Sequence, residues 1–118
     1  MDKLDAMTEQ VRDFCDDRGW RKYHTPKELA IGMATESSEL LQLFRFMSDE
    51  RIAEMFEDTE QRQVIEDEVA DTLLFLLRFA DLNEIDLPAA LSSKLKCNGE
   101  RYPVDVSSIE YRKADHHE

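Results

Sequence analysis

The sequence predicts an all-α fold, and three observations carry that prediction. Glycine and proline contribute only three residues each to the 118, so turns are scarce and an all-β sandwich is effectively excluded. Apolar residues recur at the i, i+3, i+4 spacing of amphipathic helices. Helix start and stop signals divide the chain into four helices with short connections, the pattern of a four-helix bundle.

The first helix is predicted from about Asp5 to Arg18, because its apolar residues follow the helical period. Gly19 is placed to end it, since glycine accepts the left-handed conformation that closes many helices. An irregular segment then carries Trp20 and His24 toward the second helix.

The second helix has the clearest start signal in the chain. Thr25 is a predicted N-cap, Pro26 occupies the first helical position and Glu28 completes a capping box. We expect this helix to continue to about Met47. A short acidic segment, residues 48–56, follows it.

The third and fourth helices complete the predicted bundle. The third, residues 59–82, is the most apolar. Its apolar surface is too wide for a four-helix monomer to cover, which predicts an oligomer. The fourth begins near Asp86 and is expected to end at the stop pair Asn98 and Gly99.

Composition excludes several classes of protein. Fifteen Lys and Arg against 27 Asp and Glu give a net charge of −12, which argues against a nucleic-acid polymer or an anionic membrane as partner. The longest uninterrupted apolar run, residues 73–77, is far too short to span a membrane. No signal peptide is evident and the two cysteines are isolated, so we expect a cytoplasmic protein. One domain, residues 1–103, and a polar tail, residues 104–118, are predicted.

Four carboxylates break the rule that acidic residues on bundle helices face water. Glu36 and Glu39 are spaced i, i+3 within an otherwise apolar stripe of the second helix. Glu68 and Asp71 repeat the spacing on the third helix. A single pair of this kind is best explained by salt bridges or border positions, but matching pairs on two helices favour a functional site.

Such a cluster needs a counter-charge, because buried like charges repel and lose hydration. Oxygen ligands suit Mg²⁺, with Mn²⁺ as a substitute, and the Glu-x-x-His motif of di-iron bundles is absent. A carboxylate-bound divalent cation lets an acidic protein bind a polyphosphate. Side-chain cations would complete that site, and Lys94 and Lys96 are candidates, although lysines near a helix C-terminus also suit the helix dipole.

The arrangement Glu36-x-x-Glu39 followed by Glu68-x-x-Asp71 resembles the metal motif of the MazG-like, all-α nucleoside triphosphate pyrophosphohydrolases. Further elements are similar to the dCTP pyrophosphatase group of that family. They are Arg18-Gly19-Trp20, His24, Asp86-Leu87-Pro88 and the run from Lys94 through Asn98, Arg101 and Tyr102 to Pro103. The resemblance covers about residues 5–103.

The resemblance implies Mg²⁺-dependent hydrolysis of a nucleoside triphosphate, dCTP or a related deoxynucleotide, to the monophosphate and pyrophosphate, a house-cleaning activity on the nucleotide pool. It implies metal ligation by Glu36, Glu39, Glu68 and Asp71. A carboxylate that the metal does not fully use can accept the proton of the attacking water, and we expect Glu39 to do so. The implied substrate-binding residues are Trp20 and His24 for base or sugar, Phe46 as an apolar wall, Lys94 and Arg101 for phosphate, and Asn98 and Tyr102 for the nucleotide pocket.

The resemblance also implies a homodimer or homotetramer, a dimer of dimers, with the pocket built between subunits. The sequence departs from some relatives at Val11 and Phe75, where they carry histidine and tyrosine. Base preference stays open, because aromatic stacking tolerates every base. A second class of function also stays open: a non-catalytic acidic α-helical bundle that binds a basic protein, which predicts carboxylates spread over an exposed face.

Overall fold

A computed structural model of the chain describes residues 1–104, and within them the fold is all-α. Five α-helices and one 3₁₀ turn, Trp20–Tyr23, make up this part of the chain. The α-helices are α1 (Lys3–Asp17), α2 (Pro26–Phe44), α3 (Asp49–Glu57), α4 (Thr59–Leu82) and α5 (Leu87–Arg101). None of the helices in these residues is long and apolar enough to cross a bilayer.

Each α-helix begins at a side chain that caps a backbone N–H of its first turn. Asp2, Thr25, Ser48, Asp58 and Asp86 accept these hydrogen bonds at 2.8–3.2 Å. The predicted start of the second helix is confirmed, because the Thr25 hydroxyl accepts from the N–H of Glu28. A cap satisfies one of the backbone donors that a helix start leaves without a partner.

The structure departs from the predicted helices by more than two residues at three places. The acidic segment after the second helix is itself a helix, α3, which Ser48 caps. Helix α2 ends at Phe44, three residues before the predicted end. Helix α5 continues past Asn98 and Gly99 to Arg101, so the predicted stop pair does not stop it.

The chain divides into two compact units after Glu84. In the first unit, residues 1–84, α4 is central: its most extensive contact is with α2, and α1 and α3 also contact it. The buried apolar core of this unit is small and consists of Cys15, Leu29, Met55, Ile65, Leu77 and Ala80. In the described part of the second unit, α5 has no fully buried residue.

Helices α2 and α4 run antiparallel. His24, just before α2, is bonded to Arg78 near the end of α4. Farther along α2, Gly32 lies directly against the ring of Phe75, so close that an added Cβ would overlap it. This register brings the middle of α2 opposite the carboxylates near the middle of α4, where the candidate site lies.

Helix α1 contacts α4 through an ion pair and an apolar groove. Arg12 donates two hydrogen bonds to the carboxylate of Asp81, at 2.7 and 2.9 Å. The pKa of Asp81 is lowered by this bond. Beside it, an open groove of about 210 Å³ is lined by Met7, Gln10, Val11, Ala70, Leu73, Leu74 and Leu77.

Candidate metal and substrate site

Three of the four predicted metal ligands come together between α2 and α4. Glu36 and Glu39 are one turn apart on α2, and Glu68 faces them from α4. One carboxylate oxygen of each residue lies within 4.8 Å of the other two. Glu39 is exposed, whereas Glu36 and Glu68 are half-buried. The cluster therefore has two inner carboxylates and one that faces solvent.

The negative charges of the two inner carboxylates, Glu36 and Glu68, are disfavoured where they lie. Oε2 of Glu36 and Oε2 of Glu68 are buried, and neither has a hydrogen-bond partner. Burial raises the pKa of Glu36 to about 7, and contacts with Glu68 and Glu39 add to the rise. Burial likewise raises the pKa of Glu68. A proton held between the two groups relieves part of the repulsion.

This donor set fits a hard divalent cation. Three carboxylates within reach of one another supply the oxygen ligands that Mg²⁺ and Mn²⁺ prefer. The two unpartnered oxygens are left without the donor that a buried acceptor requires. Among residues 1–104, none of the ion pairs supplies a Lys or Arg to these three groups.

Asp71, the fourth predicted ligand, stands apart from the cluster of three. It lies one turn beyond Glu68 on α4 and is exposed. Its negative charge nevertheless contributes to the raised pKa of both Glu36 and Glu68. Asp71 is thus an outer carboxylate of the same electrostatic group.

Trp20 and His24 form a second cluster, in which the rings meet edge to face. The centroid of the Trp20 ring is 6.2 Å from that of His24 and 5.6 Å from that of Phe14. Nδ1 of His24 accepts a hydrogen bond from Nε of Arg78 at 3.0 Å, and Nη2 of Arg78 donates to Asp16 at 2.8 Å. Asp16 and Arg78 are not among the predicted site residues, and their pairing carries no local sequence signal because 62 residues separate them.

Phe46 lies outside the helical stripe on which it was expected. Helix α2 ends before it, and its backbone takes a left-handed conformation with φ 68°. Its side chain is 91% exposed, with the guanidinium of Arg45 4.7 Å from the ring centroid. The left-handed backbone conformation is strained for an aromatic residue. Packing of the ring does not explain this conformation, because the ring is exposed.

The remaining predicted substrate residues belong to the second unit. Lys94, Asn98 and Arg101 are spaced i, i+4, i+7 on α5 and therefore share one face of that helix. Tyr102 follows the helix and is half-buried, and the Arg101 guanidinium lies 5.1 Å from its ring centroid. This unit thus presents cations, an amide and a phenol along one edge of α5.

The chain is similar to mammalian enzymes over most of its length. It is 33% identical to dCTP pyrophosphatase 1 of Rattus norvegicus over 95 residues, which are 80% of this chain and 56% of the rat protein. It is 30% identical to dCTP pyrophosphatase 1 of Homo sapiens over 101 residues. The chain spans just over half the length of these relatives. No protein-family model matches it.

A solved structure is similar over almost its whole length. The crystal structure of a pyrophosphatase from Archaeoglobus fulgidus superposes with a TM-score of 0.81 at 35% identity. The match covers 88% of this chain and 95% of the archaeal one. Together these similarities show that the chain belongs to the MazG-like all-α pyrophosphohydrolases and is similar to the dCTP pyrophosphatases.

Proposed function

We propose that this chain is a Mg²⁺-dependent pyrophosphohydrolase of nucleoside triphosphates, dCTP or a related deoxynucleotide, that releases the monophosphate and pyrophosphate. The observation that supports it most directly is the carboxylate cluster of Glu36, Glu39 and Glu68, with two buried oxygens that lack a donor. The names of the mammalian and archaeal relatives support the reaction class.

In this proposal the inner carboxylates hold the cation and the outer ones complete the site. Glu36 and Glu68 contribute the buried oxygens, and Glu39 and Asp71 contribute exposed ones. The bound cation supplies charge neutralisation for the triphosphate and acidifies a water. Glu39 is the best placed of the cluster to accept a proton, because it is the member that faces solvent.

The other residues bind the substrate. Trp20 and His24 contact base or sugar, and Phe46 offers an exposed ring as an apolar wall. The cations of α5, Lys94 and Arg101, bind phosphate, while Asn98 and Tyr102 line the nucleotide pocket. None of these roles requires a nucleophilic serine or cysteine, so the reaction proceeds by direct attack of water.

The proposal is tested by assaying pyrophosphate release from a panel of canonical and modified nucleoside triphosphates with MgCl₂ or MnCl₂. Glu68→Gln keeps the shape of the side chain but removes its charge, and we expect it to abolish turnover. Glu66→Gln is the matched control, because Glu66 lies on the same helix in an exposed ion pair with Arg62 and should keep full activity. Full activity in Glu68→Gln would contradict the site.

The products and the atom attacked provide a second test. We expect the cut between the α- and β-phosphates, so the products are the nucleoside monophosphate and intact pyrophosphate. In ¹⁸O-water a single turnover places one heavy oxygen in the product derived from the attacked phosphorus, which we expect to be the α-phosphorus. Release of orthophosphate and a nucleoside diphosphate would identify a γ-phosphatase and overturn the mechanism.

The assembly completes the proposal. We propose that the chain forms a homodimer or a homotetramer in the cytoplasm, because α4 leaves Val64, Val69, Leu73 and Leu76 36–50% exposed. The alternative of a non-catalytic acidic bundle is less well supported. It requires carboxylates spread over an exposed surface, whereas Glu36, Glu39 and Glu68 are gathered between two helices.

A further inference from the structure

Arg78 is a charged side chain placed in the core of the first unit. It is 0% exposed. Among residues 1–104 it is the one charged residue that is fully buried. Asp16, its ion-pair partner, is 42% exposed, and Nη1 of Arg78 is buried with no partner. Burying a guanidinium with incomplete pairing contributes little or nothing to stability compared with an apolar side chain. Its presence therefore needs a reason other than packing.

Arg78 determines the protonation state of His24. A guanidinium can only donate, so Nδ1 of His24 must be an acceptor, and the ring is neutral with its proton on Nε2. Burial and the charge of Arg78 lower the pKa of His24, while Asp16 opposes them. The edge contact with Trp20 restricts the ring further. His24 is thereby a neutral side chain with one donor at Nε2, which forms no hydrogen bond within residues 1–104.

Arg78 also shares a helix face with the carboxylates. Residues 68, 71, 75 and 78 follow the helical repeat of α4, and Arg78 lies about 10 Å beyond Asp71 along the axis. His24 lies at the same end of the antiparallel α2–α4 pair. A nucleotide whose phosphates bind at the carboxylates can extend its nucleoside along this pair toward His24.

We propose that Arg78 is a positioning residue for the nucleotide: it fixes His24 as a neutral imidazole whose Nε2–H donates to an acceptor oxygen of the nucleoside. The inference rests on the proposed function for its substrate. The protonation and tautomer of the His24 imidazole can be measured without any substrate. The role of Arg78 and the proposed function can therefore fail separately.

The first experiment measures that state by nitrogen-15 NMR. The chain contains three histidines, so His116→Gln combined with His117→Gln leaves His24 as the single imidazole. We expect the neutral ring to carry its proton on Nε2, with a pKa below the ordinary value of 6.5. Adding Arg78→Met should raise the pKa of His24 and mix the two neutral tautomers. A wild-type ring that carries its proton on Nδ1, or whose pKa is not lowered, would overturn the proposal.

The second experiment measures kinetics with the nucleotide that the panel identifies. We expect Arg78→Met to raise KM about 3- to 10-fold, the range for one lost hydrogen bond, with kcat within about twofold. Arg78→Lys should restore KM only partly, because a lysine lacks the planar fork that fixes the ring. Arg12→Gln, which removes the exposed ion pair between α1 and α4, is the matched control and should leave KM unchanged.

A third variant keeps the proposal testable if Arg78→Met does not fold. His24→Asn retains a carbonyl acceptor for Arg78 but has no donor at the Nε2 position, so we expect the same rise in KM in a folded protein. An unchanged KM in this variant, or a loss of kcat alone, would overturn the proposal. Failure of the wild-type chain to hydrolyse any triphosphate would refute the proposed function, and with it the nucleotide-binding role of His24, but would leave the tautomer result intact.

Discussion

Glu36 and Glu68 show how a folded chain can hold groups that oppose its own stability. Each has a buried carboxylate oxygen without a donor, and their mutual repulsion is relieved only by a proton or a cation. Replacing one charge should therefore relieve strain in the metal-free protein rather than create it. This distinguishes a binding site from a structural ion pair, in which loss of a charge would lower the melting temperature.

The pH dependence of stability provides a prediction for the metal-free chain. The pKa of Glu36 is about 7 in the folded state against an ordinary value of 4.5, so the folded state binds more protons between these pH values. Its contribution to stability is complete below about pH 4.5 and is lost as the pH rises through 7. We expect Glu36→Gln, in EDTA, to melt progressively higher than wild type as the pH rises from 5 to 8.

Two further measurements make this prediction specific. Glu66→Gln, an exposed change on α4, should show a difference from wild type that does not vary over the same pH range. Millimolar MgCl₂ should raise the melting temperature of the wild-type chain more than that of Glu36→Gln, because a ligand that binds only the folded state stabilises it. A pH-independent difference between Glu36→Gln and wild type would show that Glu36 is not strained.

The sequence predicts the carboxylate cluster but not the contacts of Arg78 with His24 and Asp16, for a physical reason. Glu36, Glu39 and Glu68 lie on periodic stripes, so helical spacing alone places them on facing surfaces. Arg78 is bonded to residues 54 and 62 positions away, and no periodicity relates one end of α1 to one end of α4. The contacts of Arg78 with His24 and Asp16 form only when the helices pack in their folded register.

The approach of α2 to α4 depends on the absence of a side chain at Gly32. An added Cβ there would overlap the ring of Phe75, and Phe75 lies between the carboxylates and Arg78 on α4. A displaced ring would have to push the two helices apart, since interiors have little free volume. The distance between the carboxylates of α2 and α4 therefore depends on Gly32, a glycine within a helix.

Gly32→Ala is expected to destabilise the chain by about 1–3 kcal/mol, the usual cost of overpacking. Phe75→Leu should relieve the overlap, so the double variant should be more stable than the sum of the single changes predicts. Urea titration of the four proteins measures this coupling. Strict additivity would show that the contact between Gly32 and Phe75 does not limit the approach of the helices.

Gly99 supplies the matched control for this change. It also lies within a helix, but an added Cβ would meet nothing within 4 Å. Gly99→Ala should be neutral or stabilising by about 0.5–1 kcal/mol, because alanine is the better helix former. A loss of stability in Gly99→Ala would contradict the open space around this position.

The predicted start of α2 agrees with the structure, whereas α3 and the ends of α2 and α5 do not. Thr25 predicts the start of α2 correctly because its hydrogen bond is local. Helix α3 is not predicted from the sequence because it is short and acidic. Its apolar contacts include the stacking of Phe56 on Phe44. Gly99 does not end α5, since glycine lowers helix propensity without forbidding the conformation.

Residues 1–104 leave many large apolar side chains exposed. On α2, Ile31 and Leu41 are 49% and 62% exposed, and on α4 several aliphatic side chains are exposed to a similar degree. Extensive apolar exposure on neighbouring helices is typical of a surface that binds another protein. The predicted oligomer would cover it, and the net charge of −12 would then keep the assembly itself in solution.

Sedimentation at micromolar concentration tests the oligomer directly. We expect a species of two or four copies of the 13.8 kDa chain. Leu76→Glu places a charge on the exposed surface of α4 and should shift the distribution toward the monomer, whereas Glu66→Gln should not. A well-folded wild-type monomer at 13.8 kDa would refute the oligomer.

The two buried oxygens of Glu36 and Glu68 have one more consequence. A proton and a divalent cation compete for the same place, so each cation that enters at neutral pH displaces part of a proton into the medium. The heat of Mg²⁺ binding should then depend on the ionisation enthalpy of the buffer. We therefore expect the site to exchange bound protons for Mg²⁺ at neutral pH and to release Mg²⁺ when the pH falls.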